Sequence, residues 1–115
     1  MIFSRLFART DTIAPANEIG HDDLQKAIQD KACAIVDVRE PHEYANGHIP
    51  GAINLPLSRF SVDGLPTGKR VVLICLSGAR SSAALRRALA AKTLGICHYP
   101  KGMSGWRGNG GAIAR

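Results

Sequence analysis

The sequence predicts an α/β domain built on a parallel sheet covered on both faces. Three observations carry that expectation. Ala34-Ile35-Val36-Asp37-Val38 and Val71-Val72-Leu73-Ile74-Cys75 are short, nearly unbroken apolar runs, the pattern of strands buried on both sides. Segments of strand and helix character alternate along the chain, as crossover connections require. Residues 81–94 carry Leu85, Ala88 and Leu89 on one helical face, keep Arg86-Arg87 off it, and meet Gly95 as a stop.

The elements follow in order. Residues 1–15 read as an N-terminal extension ahead of a domain at 16–115. If that extension is helical, Ile2, Phe3, Leu6 and Phe7 share one face. It then either packs on its own domain or meets a partner or a membrane surface; a frayed segment is the third reading. Asn17-Glu18-Ile19 reads as a short edge strand. His21-Asp22-Asp23 opens a helix running to about Lys31, its acids suiting the positive end of the helix dipole. Glu40-Pro41 opens another with proline in the first turn, and Asn46-Gly47 closes it. Ala52–Leu55 is a short strand. Residues 56–70, with Pro56, Gly64, Pro66 and Gly68, read as loop with one helical turn at 57–60. After the strand at 71–75 and the helix at 81–94 come a last strand, Ile96–Tyr99, and a short helical turn near Met103–Trp106.

Composition bounds the function. The chain has 115 residues, long enough for one domain with a core of its own. Fifteen basic against nine acidic residues leave a net charge of +6, which attracts anions. The charges are scattered and no aromatic residues interleave them, so nucleic acid is not an expected partner. Cys33, Cys75 and Cys97 form an odd set with no CxxC pair, and the four His are dispersed. A reduced, cytoplasmic setting without a metal site fits that pattern. The apolar residues near the N-terminus are interrupted by Arg5 and Arg9, too short a run for a signal peptide or stable membrane insertion.

The chemistry concentrates at Cys75-Leu76-Ser77-Gly78-Ala79-Arg80. A cysteine at the carboxyl end of a buried strand, facing a helix start, lies where α/β sheets place their sites. The thiolate is the reactive form, and a free thiol ionises near about 8.5. Amides converging from the loop would stabilise it, Gly78 permits the positive φ that turns them inward, and Arg80 adds a cation. Taken alone, the same residues fit an inert buried cysteine with Gly78 making a turn.

A second stretch resolves the choice. Asp37-Val38-Arg39-Glu40 and Glu43-Tyr44-Ala45-Asn46-Gly47-His48-Ile49-Pro50-Gly51-Ala52-Ile53-Asn54 precede Cys75-Leu76-Ser77-Gly78-Ala79-Arg80-Ser81. These resemble, in order, the D-x-R-E, E-[YF]-x-x-G-H-I-P-G-A-x-N and C-x-x-G-x-R-S motifs of the rhodanese (sulfurtransferase) family, and the likeness covers roughly residues 16–110. The resemblance implies a three-layer α/β/α fold with a four- to five-stranded, mostly parallel sheet. It implies that Cys75 takes a sulfane sulfur from a small anionic donor such as thiosulfate. The persulfide, held by the amides of Leu76, Ser77, Gly78, Ala79 and Arg80, would pass its sulfur to a thiophilic acceptor, cyanide or a thiol. No metal or organic cofactor is implied. The alternative within the family is a persulfide carrier between protein donor and protein acceptor. Related phosphatases and arsenate reductases resemble C-x5-R; here four residues separate Cys75 from Arg80, which disfavours them.

The remaining polar residues are read as support. Arg39 is expected to pair with Asp37 or Glu43 and fix the loop, with contact to a substrate anion as the alternative. Arg80 either faces the anion or folds back onto an acid. His48 reads as a turn residue and Trp106 as core. Lys101 stands where the family has the first glycine of a G-G-M-x-x-W stretch, and Leu76-Ser77 bring no charge; Lys101 is therefore a candidate anion contact. Cys33 and Cys97 belong at the sheet end opposite Cys75, too far to resolve a disulfide with it.

Overall fold

The computed structural model describes residues 15–115; all but the last residue of the expected N-terminal extension lies outside them. Four strands form one sheet: β1 Cys33–Asp37, β2 Ile53–Asn54, β3 Arg70–Ile74 and β4 Ile96–His98. Their spatial order is β2-β1-β3-β4 and every pairing is parallel. β1 and β3 pair along their whole length, Cys33 opposite Arg70 through Asp37 opposite Ile74. Among the described residues the α-helices are α1 His21–Gln29, α2 Pro41–Ala45, α3 Ala79–Ala90 and α4 Gly102–Gly108.

Strand alternation sorts the core into two layers. Ile35, Val72, Ile74, Cys97 and Tyr99 face Leu24 of α1 and Met103 and Trp106 of α4. Val36, Val71, Leu73, Cys75 and Ile96 face Ala84, Leu85 and Ala88 of α3, with Leu57, Phe60 and Val62 of the long connection packed beside them. The layers are helix, sheet, helix, as the strand–helix alternation requires.

Local chemistry sets the ends of the elements. Pro41 opens α2 inside a reciprocal capping box between Glu40 and Glu43. Gly78 stands before α3 with φ +99° and accepts the Ser82 amide at 3.0 Å. The helix therefore begins at Ala79, two residues ahead of the expected start, with Ala79-Arg80 in its first turn. Lys92, at φ +61°, ends it well before Gly95. The expected edge strand at 17–19 reduces to a single parallel bridge, Glu18 to His98. A second helical turn, Val62–Gly64, follows the expected one, found at Leu57–Arg59, and the expected short turn near 103–106 is the seven-residue helix α4.

Leu85 is fully buried between α3 and the sheet. Leu85→Ala is expected to cost about 2–5 kcal/mol of stability, measured by urea denaturation; a loss well under that range would mean that α3 is not packed as described.

Candidate active site

β3 runs straight into Cys75, which is buried. The chain then turns sharply. Gly78 adopts a left-handed conformation, and a Cβ on it would stand 2.5 Å from the Pro100 carbonyl oxygen, so this turn requires glycine. The turn aims the amide N–H groups of Gly78, at 3.1 Å, and Ser81, at 3.2 Å, at Cys75 Sγ. The Ser81 hydroxyl lies 3.5 Å away, and the dipole of the nearby Ser77 amide also favours charge on the sulfur. Burial pushes the thiol pKa up. The Ser81 hydroxyl and the Ser81, Gly78 and Ser77 amides outweigh that and hold it below its ordinary value. The donors include Ser81, one residue past the stretch 76–80 expected to supply them.

The loop is fastened from behind by α4. The Met103 amide donates to the Cys75 carbonyl at 2.8 Å and the Ser104 amide to that of Leu76 at 3.0 Å. Gly102, at φ +61°, lies so close to Leu76 that a Cβ there would overlap its carbonyl. This explains why the second glycine of the expected pair is kept while Lys101 stands at the first. Lys101 is exposed and its stem lies against Gly105. Leu76 is also exposed.

The expected cations are largely spent on acids. Arg80 folds back: its Nη1 and Nη2 donate to Glu43 Oε1 at 2.6 Å and Oε2 at 3.0 Å. The Arg80 hydrogen bonds hold the Glu43 carboxyl far down, at about 2. Arg39 is buried. Its Nε and Nη2 donate to Asp37, the closest contact being 2.7 Å, and Nη2 also reaches the Gly47 carbonyl at 2.7 Å. That guanidinium braces the loop after α2 and is committed to the Asp37 carboxylate and the Gly47 carbonyl. Neither His48 nor Trp106 reaches the sulfur. The His48 ring stacks on Tyr44, centroids 3.8 Å apart, while Trp106 lies in the core and donates to the Ala112 carbonyl at 2.8 Å. Cys33 and Cys97 sit on the opposite face of the sheet from Cys75, near its other end, and burial raises both thiols.

Two residues that motif reading passed over complete the site. Ser81 ends the C-x-x-G-x-R-S motif and touches the sulfur through both its amide and its hydroxyl. Behind it lies His98, a buried polar residue in an otherwise apolar strand. That polar interruption at the carboxyl end of β4 is the signal that marks it.

A cysteine-bearing loop between the end of a central parallel strand and a helix N-terminus defines a cysteine site of the α/β class. Residues 20–109 match the model of the rhodanese-like domain, and the chain belongs to that family. It is 34% identical over 86 residues, 73% of this chain, to YrkF of Bacillus subtilis, whose name proposes a sulfur carrier. It is 27% identical over 121 residues to the thiosulfate:glutathione sulfurtransferase of Saccharomyces cerevisiae, covering 90% of this chain and 87% of that one. An uncharacterised Synechocystis protein is 42% identical over 98 residues, 84% of this chain. The chain spans about half the length of that protein and of YrkF, 51% and 46%. Among solved structures, a rhodanese-related protein from Thermoplasma volcanium superimposes with a TM-score of 0.75 at 34% identity, covering 85% of this chain and 97% of that one.

Glu43→Gln is expected to destabilise the domain by about 1 kcal/mol at neutral pH, a modest figure because the pair is partly exposed. The carboxyl pKa is depressed by folding, so its contribution is full above the unfolded value of roughly 4.3 and fades as pH falls toward 2. Urea midpoints of the two proteins should therefore converge in acid; a gap that stays constant down to that pH would contradict the ion pair.

Proposed function

We infer that this domain transfers sulfane sulfur through a persulfide on Cys75. The convergence of backbone amides and the Ser81 hydroxyl on one sulfur atom carries the reading. A site that stabilises a thiolate by fixed dipoles can stabilise the related persulfide anion without a cofactor. The thiolate attacks the outer sulfur of a donor such as thiosulfate. A bond forms between Sγ and that sulfur, the donor's S–S bond breaks, and sulfite leaves with the electron pair. A thiophilic acceptor, cyanide or a thiolate, then attacks the outer sulfur, and Sγ leaves again as a thiolate. Leu76, Ser77, Gly78, Ala79 and Arg80 form the cradle, with the Arg80–Glu43 pair bracing it. Lys101, exposed beside Gly102, supplies the cation for an anionic donor that Leu76 and Ser77 do not. The sulfur-transfer name of the yeast relative supports an activity of this class.

One observation favours a second reading. Leu76, at the lip of the loop, is 41% exposed, an apolar contact suited to a protein donor or acceptor. Together with the name of the Bacillus relative, it supports a persulfide carrier.

Intact-mass analysis after incubation with thiosulfate tests the reaction. The expected adduct is about 32 Da, one sulfur, and it is lost in Cys75→Ser; no adduct from thiosulfate or from a persulfidated protein donor would overturn the reading. Lys101→Ala is expected to raise KM for thiosulfate by about tenfold, the scale of one lost charge contact, with kcat little changed. An adduct formed only from a protein donor would select the carrier.

A further inference from the structure

Two side chains that sulfur transfer itself does not use, His98 and Glu18, continue the site behind Ser81. The register pairs His98 with Leu73, and alternation puts His98 on the same sheet face as Cys75. Its Nδ1 lies 2.8 Å from Ser81 Oγ, and that oxygen lies 3.5 Å from Cys75 Sγ and 3.2 Å from the Gly78 carbonyl. On the far side of the ring, Nε2 lies 3.8 Å from a Glu18 carboxylate oxygen. Glu18 is held there by its backbone bridge to His98 and by the Ile19 amide on the His98 carbonyl at 3.0 Å. The order in space is Glu18, His98, Ser81, Cys75.

The chemistry of that order is directional. A carboxylate beside Nε2 favours a proton on that nitrogen, which leaves the Nδ1 lone pair facing Ser81. The Ser81 hydroxyl has one hydrogen to give and can accept another. With Cys75 as a thiol, S–H donates to Ser81 Oγ and Ser81 O–H donates to Nδ1.

We propose that His98 is a positioning residue that takes the Cys75 proton through Ser81 and holds it while the sulfur is a thiolate. The Sγ–H bond breaks and its proton joins Ser81 Oγ as the original hydroxyl proton moves to Nδ1. The products are a thiolate, an intact Ser81 hydroxyl now donating to the sulfur, and an imidazolium whose Nδ1–H donates to Ser81. The overall charge of the group is unchanged. The buried site thus generates its nucleophile without sending a proton to solvent.

The surrounding charges act on this transfer in both directions. His98 faces Glu18 from the edge segment and Arg86 from α3; Cys75 faces Arg80, itself bound to Glu43. Burial and Arg86 draw the His98 pKa below the usual histidine value against the pull of Glu18, so the ring is neutral at rest, and the adjacent thiolate charge has to hold the transferred proton on it. The proposal rests on Cys75 being the reacting thiol, but its test needs no sulfur donor.

Nitrogen-15 NMR of histidine-labelled full chain tests it, comparing wild type with Cys75→Ser. With the thiolate present, His98 is expected to protonate at a midpoint about one unit or more higher than in the serine variant. Equal midpoints would overturn the proposal. Peptide-resolved iodoacetamide alkylation of Cys75 is the second arm. His98→Asn offers an amide near the Nδ1 position but takes no proton. Alkylation near about pH 6 is expected to fall roughly tenfold in it and to match wild type in alkali, where the thiol ionises unaided. Matching rates near that lower pH would also overturn it. If the mass adduct forms in wild type and in His98→Asn while the His98 midpoints and the alkylation rates coincide, sulfur transfer stands and the relay falls.

Discussion

The structure depends on one arrangement: hydrogen-bond donors converge on a buried sulfur atom at the end of a central strand, where any negative charge must be met without bulk solvent. Water cannot supply the solvation, so hydrogen-bond donors of the protein must. The loop satisfies this by turning through Gly78, which brings the amides of residues 78 and 81 onto one atom. Close approach of Pro100 and Gly102 then leaves the loop little room to relax. The amides of Met103 and Ser104 spend the N-terminal hydrogen bonds of α4 on the loop's own carbonyls. The donors are therefore fixed before any charge develops, which is the condition for dipoles to stabilise an anion at low reorganisation cost.

The formal charges of the chain play a secondary part. A net charge of +6 suggests a cationic site, yet the two arginines nearest the loop are neutralised. Arg39 is buried against Asp37, and Arg80 is gripped by Glu43. These pairs set the shape of the loop's surroundings. Their charges contribute to the sulfur mainly at a distance, where an oppositely charged neighbour cancels most of the field. The sulfur's charge is met chiefly by backbone dipoles, the N-terminus of α3 and one hydroxyl. Such an environment would suit the proposed transfer, in which charge shifts from Sγ to an outer sulfur and back, because no single cation has to follow it.

The fold was legible because its evidence is local. Uninterrupted runs such as Val71–Ile74 report burial on both sheet faces, and Pro41 and Gly78 report where helices begin. The boundaries that moved did so for local reasons that composition hides. Ala79-Arg80 joined α3 once Gly78 took the left-handed turn, and Lys92 ended that helix from a conformation seldom taken outside glycine and asparagine. At the site, Cys75 and its glycine were readable from spacing. The partner choice of Arg80 was not, because Glu43 lies 37 residues away in sequence and the pairing exists only once the fold brings the two side chains together. Ser81–His98 was equally hidden, since it depends on the register of β4 against β3, which no motif encodes.

The most direct test of the account is the ionisation of Cys75 itself, followed by thiolate absorbance as the difference between wild type and Cys75→Ser. The account predicts a midpoint below the free-cysteine value of about 8.5, with the thiolate dominant at lower pH than in an unstructured peptide. A midpoint at or above that value would mean that burial outweighs the converging donors, and the loop would then be a turn and not an anion cradle.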